Sequence, residues 1–131
     1  MTTELTYLAW TLVLAFVQIL LFDVARTRQY GLDWNMSARD ATMPPLKPSS
    51  ERLLRAQNNL YETLPLFIAS ILIAHVAGRE SWLTAYGAAI YFWGRVAYVP
   101  LYAYGIPKFR SHVWLISTGG LGMVATAILM P

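Results

Sequence analysis

The chain has 131 residues, of which 56% are hydrophobic and 13% charged, with a net charge of +3 and no cysteine. Soluble domains usually carry about 25% charged residues, so this balance argues against a soluble globular protein, and the missing cysteines exclude disulfides and thiolate metal sites. The basic residues lie mainly in two short loops and not along a face with exposed aromatics, which argues against nucleic-acid binding.

The apolar excess is gathered into four blocks. The first runs from Leu5 to Phe22, with Thr6, Thr11 and Gln18 as its only polar residues. At 1.5 Å per residue it extends about 27 Å, close to the hydrocarbon thickness of a bilayer. Residues 1–4, Met-Thr-Thr-Glu, have no basic region and no small-residue cleavage site, so this span is expected to be retained. A crossover from Asp23 to Ser50 follows, where Pro44, Pro45 and Pro48 forbid a continuous helix.

The second block is purely apolar only from Leu64 to Ala74, so its helix is expected to begin near Glu51 and Arg52, with Ser49 and Ser50 as candidate caps and Pro65 as a kink. The third block is Trp82 to Tyr104, interrupted by Arg95 and Pro100. The fourth is Val113 to Met130, where Gly119, Gly120 and Gly122 suit close helix packing better than a phosphate loop. The expected architecture is a single all-α integral membrane domain over 1–131. It is a four-transmembrane-helix bundle with spans at about 5–24, 51–77, 82–104 and 111–130.

Charge sets the expected topology. Arg26, Arg28, Arg39, Lys47, Arg52, Arg55, Lys108 and Arg110 fall on one side and only Arg79 on the other, a ratio of eight to one. Positive-inside counting places the two basic loops in the cytoplasm and both termini on the non-cytoplasmic side.

Ionisable residues inside membrane helices are costly and often functional. In the second helix Arg55, Asn59 and Glu62 are spaced by four and seven, which puts them within about 60° on one face. In the third helix Arg95, Tyr98 and Tyr102 share a face in the same way, and Arg110 and Ser111 stand at the entry to the fourth. A purely structural reading pairs Glu62 with Arg95 as an interhelical ion pair, makes Asn59 hydrogen-bond glue, and puts the tyrosines in an interfacial belt. The arginines outnumber Glu62, however, and such a surplus facing a cavity suits an anionic ligand. His75 and His112 lie near opposite faces, so no metal pair is expected.

The segment Glu51-Arg52-Leu53-Leu54-Arg55-Ala56-Gln57-Asn58-Asn59-Leu60-Tyr61-Glu62 resembles the motif E-R-x-x-R-A-x-x-N-x-x-E of the membrane-associated proteins in eicosanoid and glutathione metabolism, the MAPEG superfamily. Gly94-Arg95-Val96-Ala97-Tyr98, Tyr102 and Arg110-Ser111 resemble its second signature, and Gly31-Leu32-Asp33-Trp34 with Arg39-Asp40 looks like the small bacterial members. The resemblance implies a homotrimer in the bacterial inner membrane that binds glutathione as co-substrate between subunits, with no metal. It implies that Arg55, Asn59, Glu62, Tyr98, Tyr102 and Ser111 contact glutathione, with Arg26 as a further contact for which Arg28 competes. Arg110 is implied as the catalytic group that stabilises the thiolate.

Three positions depart from the eicosanoid branches: Thr63 and Trp114 where those branches carry tyrosine, and Asn58 where one carries a further arginine. The implied activity is therefore a generic glutathione transferase or peroxidase acting on an apolar small molecule. The alternative is a non-catalytic subunit serving assembly or structure in a larger membrane complex.

Overall fold

A computed structural model describes residues 1–130 and contains, among them, five helices and no strand. Helix α1 covers Thr3–Tyr30, α2 Leu32–Met36, α3 Pro48–Val76, α4 Trp82–Ala103 and α5 Pro107–Leu129. Three of these, α1, α3 and α5, are long and apolar enough to cross a membrane. Helix α4 has 22 residues, about 33 Å, but its seven aromatics and Arg95 make it less hydropathic than the other three.

The apolar windows of α1, α3 and α5 are only 28%, 33% and 22% buried. Large side chains such as Leu12, Phe16, Leu20, Leu66, Ile73 and Ile116 point outward, while Thr11, Ala15 and Gln18 of α1 point inward. A water-soluble bundle shows the opposite arrangement. Outward apolar and inward small or polar residues suit lipid as the surrounding solvent, and the protein is an integral membrane protein.

Helix α1 continues past the expected end at residue 24, because no glycine or proline interrupts it until Gly31, which turns the chain with φ 95°. Arg26 and Arg28 are thus helical residues, and Arg26 pairs with Asp23 at 2.8 Å. The crossover is tied down by the Gln29 amide, which donates to the Pro45 carbonyl at 2.8 Å and accepts from the Lys47 amide at 2.9 Å. Helix α3 starts three residues before Glu51, with Pro48 in its first turn. Ser49 and Ser50 lie inside that turn and do not cap it; Lys47 takes the cap position without a side-chain bond. Proline fixes the φ that the first turn needs and lacks the N–H that would go unpaired, so it sets the boundary by itself.

The four long helices alternate in direction. One end of the bundle gathers the end of α1, the start of α3, the end of α4 and the start of α5, where Arg52 donates to the Ala103 carbonyl at 3.2 Å. At the other end Thr84 donates to Glu4 at 2.7 Å, His75 contacts Glu80 at 3.0 Å, and Arg79 meets the Met130 carbonyl. The core between them is Leu8 and Ala15 of α1, Leu60, Phe67 and Ile71 of α3, Ala88 and Tyr91 of α4, and Leu121 and Val124 of α5.

Helices α4 and α5 pack most extensively. A Cβ on Gly120 would lie 2.6 Å from the Gly87 carbonyl oxygen, so the two backbones meet there with no room for a side chain. Of the three glycines expected to pack, only Gly120 does so; Gly119 and Gly122 face open space within the chain.

Candidate functional site

The basic end of the bundle holds two adjoining cavities that share one residue. The smaller, about 130 Å³, is lined by Arg52, Arg55, Tyr102, Gly105, Pro107 and Arg110. The larger, about 330 Å³, is lined by Asn59, Tyr98, Arg110, Ser111, Trp114 and Leu115. Arg110 belongs to both.

Local folding explains this convergence. Pro107 starts α5 earlier than the expected 111, which places Arg110 and Ser111 in its opening turns and not before it. The unpaired N–H groups of such a turn favour negative charge nearby. Gly105, at φ 70°, brings the chain round tightly enough for the Arg52 guanidinium to lie over it; a Cβ there would sit 3.2 Å from the guanidinium carbon. On α3, Arg52 and Arg55 are three residues apart and so face the same way.

The tyrosines are platforms for the guanidinium groups. Arg110 lies 4.8 Å and Arg55 5.8 Å from the centre of the Tyr102 ring. Tyr98 meets Tyr102 edge to face at 5.4 Å, and Arg95 lies 4.5 Å over the Tyr98 ring. Guanidinium groups stack well on aromatic faces, so two like charges are held near one another without a carboxylate between them.

The site brings together Arg55, Asn59, Tyr98, Tyr102, Arg110 and Ser111. It does not bring in Arg26, whose contacts are Asp23 and the rings of Phe22 and Trp34, at 5.0 and 5.5 Å. Glu62 is exposed on α3 and lines neither cavity.

The expected Glu62–Arg95 ion pair is not formed among the described residues, whose two salt bridges are Arg26–Asp23 and His75–Glu80. Arg95 donates instead to Asn59 Oδ1 at 2.8 Å. Asn59 sits nearly one turn before Glu62 and is half-buried, so it reaches the inward-facing guanidinium while Glu62 is rotated outward. Arg95 is only 2% exposed.

Sequence reasoning did not name Arg52 as a site residue, and it placed Trp114 only in or near the pocket, as a departure from the eicosanoid branches. The three-residue step from Arg52 to Arg55 was a usable signal for the first. For the second, the four-residue step from Arg110 was one, since it puts Trp114 a turn further along the same face.

The donors at this site are arginine, asparagine, serine and tyrosine, and neither cavity is lined by a carboxylate. That set can hold an anion with several acceptor oxygens and stabilise negative charge at Arg110. No curated protein matches the chain at a significant level. Residues 7–130, nearly the whole length, match the profile of the MAPEG family. With its lipid-facing helices and the arginine–tyrosine cluster where they converge, the chain belongs to the MAPEG family.

Proposed function

We propose that this protein is a membrane glutathione-dependent transferase or peroxidase in which Arg110 stabilises the glutathione thiolate for attack on an apolar electrophile or hydroperoxide. The observation that carries this reading is the placement of Arg110 at the junction of the two cavities. The MAPEG family includes enzymes of this kind.

The chemistry of the donor set fits the ligand. Glutathione has two carboxylates, and Arg52 and Arg55 in the smaller cavity are suited to them through paired charge-assisted hydrogen bonds. The larger cavity then takes the cysteinyl part, with Asn59, Tyr98 and Ser111 as polar contacts and Arg110 beside the sulfur. Glutathione supplies the thiol that the cysteine-free chain lacks. A guanidinium next to a thiol favours the thiolate and so lowers its pKa. Leu115 is 60% exposed and forms the outer wall, so an apolar substrate reaches this cavity from the bilayer side.

The same reading covers the membrane arrangement. Helix α4, long enough to cross and joined to two candidate spans by short turns, is a fourth span. Both termini then lie on the non-cytoplasmic side, and the basic end on the cytoplasmic side of a bacterial inner membrane. Arg55 and Glu62 are exposed on the face of a membrane helix, where lipid is a poor neighbour for either. A homotrimer covers them and lets Glu62, and Arg26 of α1, meet ligand at a subunit interface.

Saturable glutathione binding by the purified protein in detergent is the test, and its absence removes the enzymatic reading. The Arg95–Asn59 bond favours a second reading, since it gives the buried arginine a purely structural partner. On that reading the protein is a non-catalytic subunit of a larger membrane complex, and it binds no glutathione.

A further inference from the structure

Arg95 is almost fully buried, yet no carboxylate lies within ion-pair distance of it among the described residues. Among the described residues its only side-chain hydrogen bond runs from Nη1 to Asn59 Oδ1, 2.8 Å away, and its Nε is buried without a partner. A buried guanidinium held this sparingly is a costly element unless its field or its geometry is used.

The geometry has a definite chemical consequence. Arginine has five N–H donors and no acceptor, so the amide atom facing it must be the oxygen of Asn59. The Asn59 NH₂ group is therefore turned away from Arg95. It has no hydrogen-bond partner among the described residues, and Asn59 lines the larger cavity. Arg95 also underlies the ring of Tyr98, a second residue of that cavity. It thus touches two walls of a cavity that it does not itself line.

We propose that Arg95 is a positioning residue that fixes the Asn59 amide as a hydrogen-bond donor into the larger cavity. Beside Arg110, that cavity wall offers donors to a ligand and withholds the Asn59 acceptor, so it selects the acceptor-rich, anionic part of the ligand. Without Arg95 the amide is free to rotate and presents its oxygen to the cavity in part of the population. This deepens the reading of the cavity as an anion site and rests on it.

Asparagine to aspartate separates this role from interhelical glue. Asn59→Asp keeps the contact to Arg95, now as an ion pair, but replaces the donor NH₂ by an acceptor oxygen. The probes are glutathione and octanesulfonate, an apolar anion without a thiol, each titrated calorimetrically into the detergent-solubilised protein.

The expected result is that Asn59→Asp weakens both probes by on the order of tenfold or more without lowering the thermal midpoint. Arg95→Met weakens them similarly, and Arg95→Lys, which keeps a donor-only partner for Oδ1, restores most of the affinity. Should Arg95→Met fail to fold, Arg95→Gln, whose amide can face either atom of Asn59, takes its place in the comparison with Arg95→Lys.

Wild-type affinity in Asn59→Asp overturns the proposal, as does equal binding by the Lys and Met variants. If octanesulfonate binds and glutathione does not, the glutathione reading falls, and the variants read with octanesulfonate still decide the role of Arg95. If neither binds, the cavity is not an anion site, and both are overturned.

Discussion

Gly94 and Ser117 are in close contact across the α4–α5 interface. A Cβ on Gly94 would lie 2.6 Å from the Ser117 Cβ, and the Ser117 hydroxyl donates to the Tyr91 carbonyl at 2.8 Å. Seven residues earlier on α4 and three later on α5, Gly87 and Gly120 make the same kind of approach, backbone to backbone. In lipid, where apolar contact between helices gains little over contact with acyl chains, close backbone packing of small residues is a main source of association. These two helices carry Arg95, Tyr98, Tyr102 and Arg110, so their separation sets the width of the site.

Gly120→Ala is expected to destabilise the protein by about 1–3 kcal/mol, because the new methyl meets Gly87 O and Tyr91 N, which are backbone atoms and cannot swing away. Gly119→Ala is the control: nothing lies within 4 Å, and alanine gains about 0.8–1 kcal/mol of helix propensity. Denaturation of both variants in one detergent checks this. Equal losses would show that helix geometry, and not the α4–α5 contact, governs the response.

Thr63 and Tyr91 join hydroxyls at 2.8 Å inside the apolar core, where Tyr91 also stacks on Phe67 at 4.1 Å. Thr63→Val leaves the Tyr91 hydroxyl buried and unpaired and is expected to cost about 1–2 kcal/mol, whereas in Tyr91→Phe the Thr63 hydroxyl still donates to the Leu60 carbonyl at 3.3 Å and the loss should be smaller, about 0.5–1 kcal/mol. The double variant removes both and should cost less than the sum, with a coupling of about 0.5–1.5 kcal/mol. Strict additivity would mean that the bond contributes nothing.

Helix existence was legible from the sequence because the apolar blocks are long and the prolines at 44, 45 and 48 are strong punctuation. The face shared by Arg55 and Asn59, and that shared by Arg95, Tyr98 and Tyr102, followed from helical periodicity alone. The partner of Arg95 did not. Asn59 and Glu62 are three residues apart on one stripe, and only the rotation of α3 against α4 decides which faces inward. That rotation is set by Phe67, Thr63 and Tyr91 in the core, whose contacts cross helices and leave no periodic trace. Helix ends differ from expectation where cap preference is weighed above proline, as at Pro48, and where the apolar block is read as marking the helix start, as at Pro107. The crossover begins later than Asp23 for a related reason: polar sequence marks the end of a membrane span, not the end of a helix.

At the end of the bundle away from the site, Glu80 lies in the α3–α4 turn with its carboxyl held below the usual carboxylate range. The neighbouring Thr2 side chain is the largest cause, opposed by burial and followed by His75, 3.0 Å from Oε1, and Glu4. A carboxyl whose folded pKa is depressed stabilises the fold above its unfolded pKa of about 4.3, and the stability is lost as pH falls through the lower folded value. Thermal midpoints in detergent should therefore drop as pH falls below about 4.3, and the drop should be shallower in Glu80→Gln. The same slope in both proteins would assign the acid sensitivity to other carboxyls.

The role proposed for Arg110 makes a signed prediction about pH. A guanidinium favours the charged form of a neighbouring thiol, so Arg110→Ala is expected to raise the pKa of bound glutathione by about one unit or more. One unit corresponds to about 1.4 kcal/mol. The pH profile of conjugation to an apolar electrophile should then move to higher pH, with the rate at neutral pH falling about tenfold or further while glutathione still binds. Arg110→Lys keeps a positive charge but loses the planar stack on Tyr102, 4.8 Å away, and should recover part of the shift. Rate profiles over pH, with thiolate absorbance followed in the same samples, separate this from a binding role. If Arg110→Ala lowers affinity and leaves the profile in place, Arg110 binds the ligand but does not activate its sulfur.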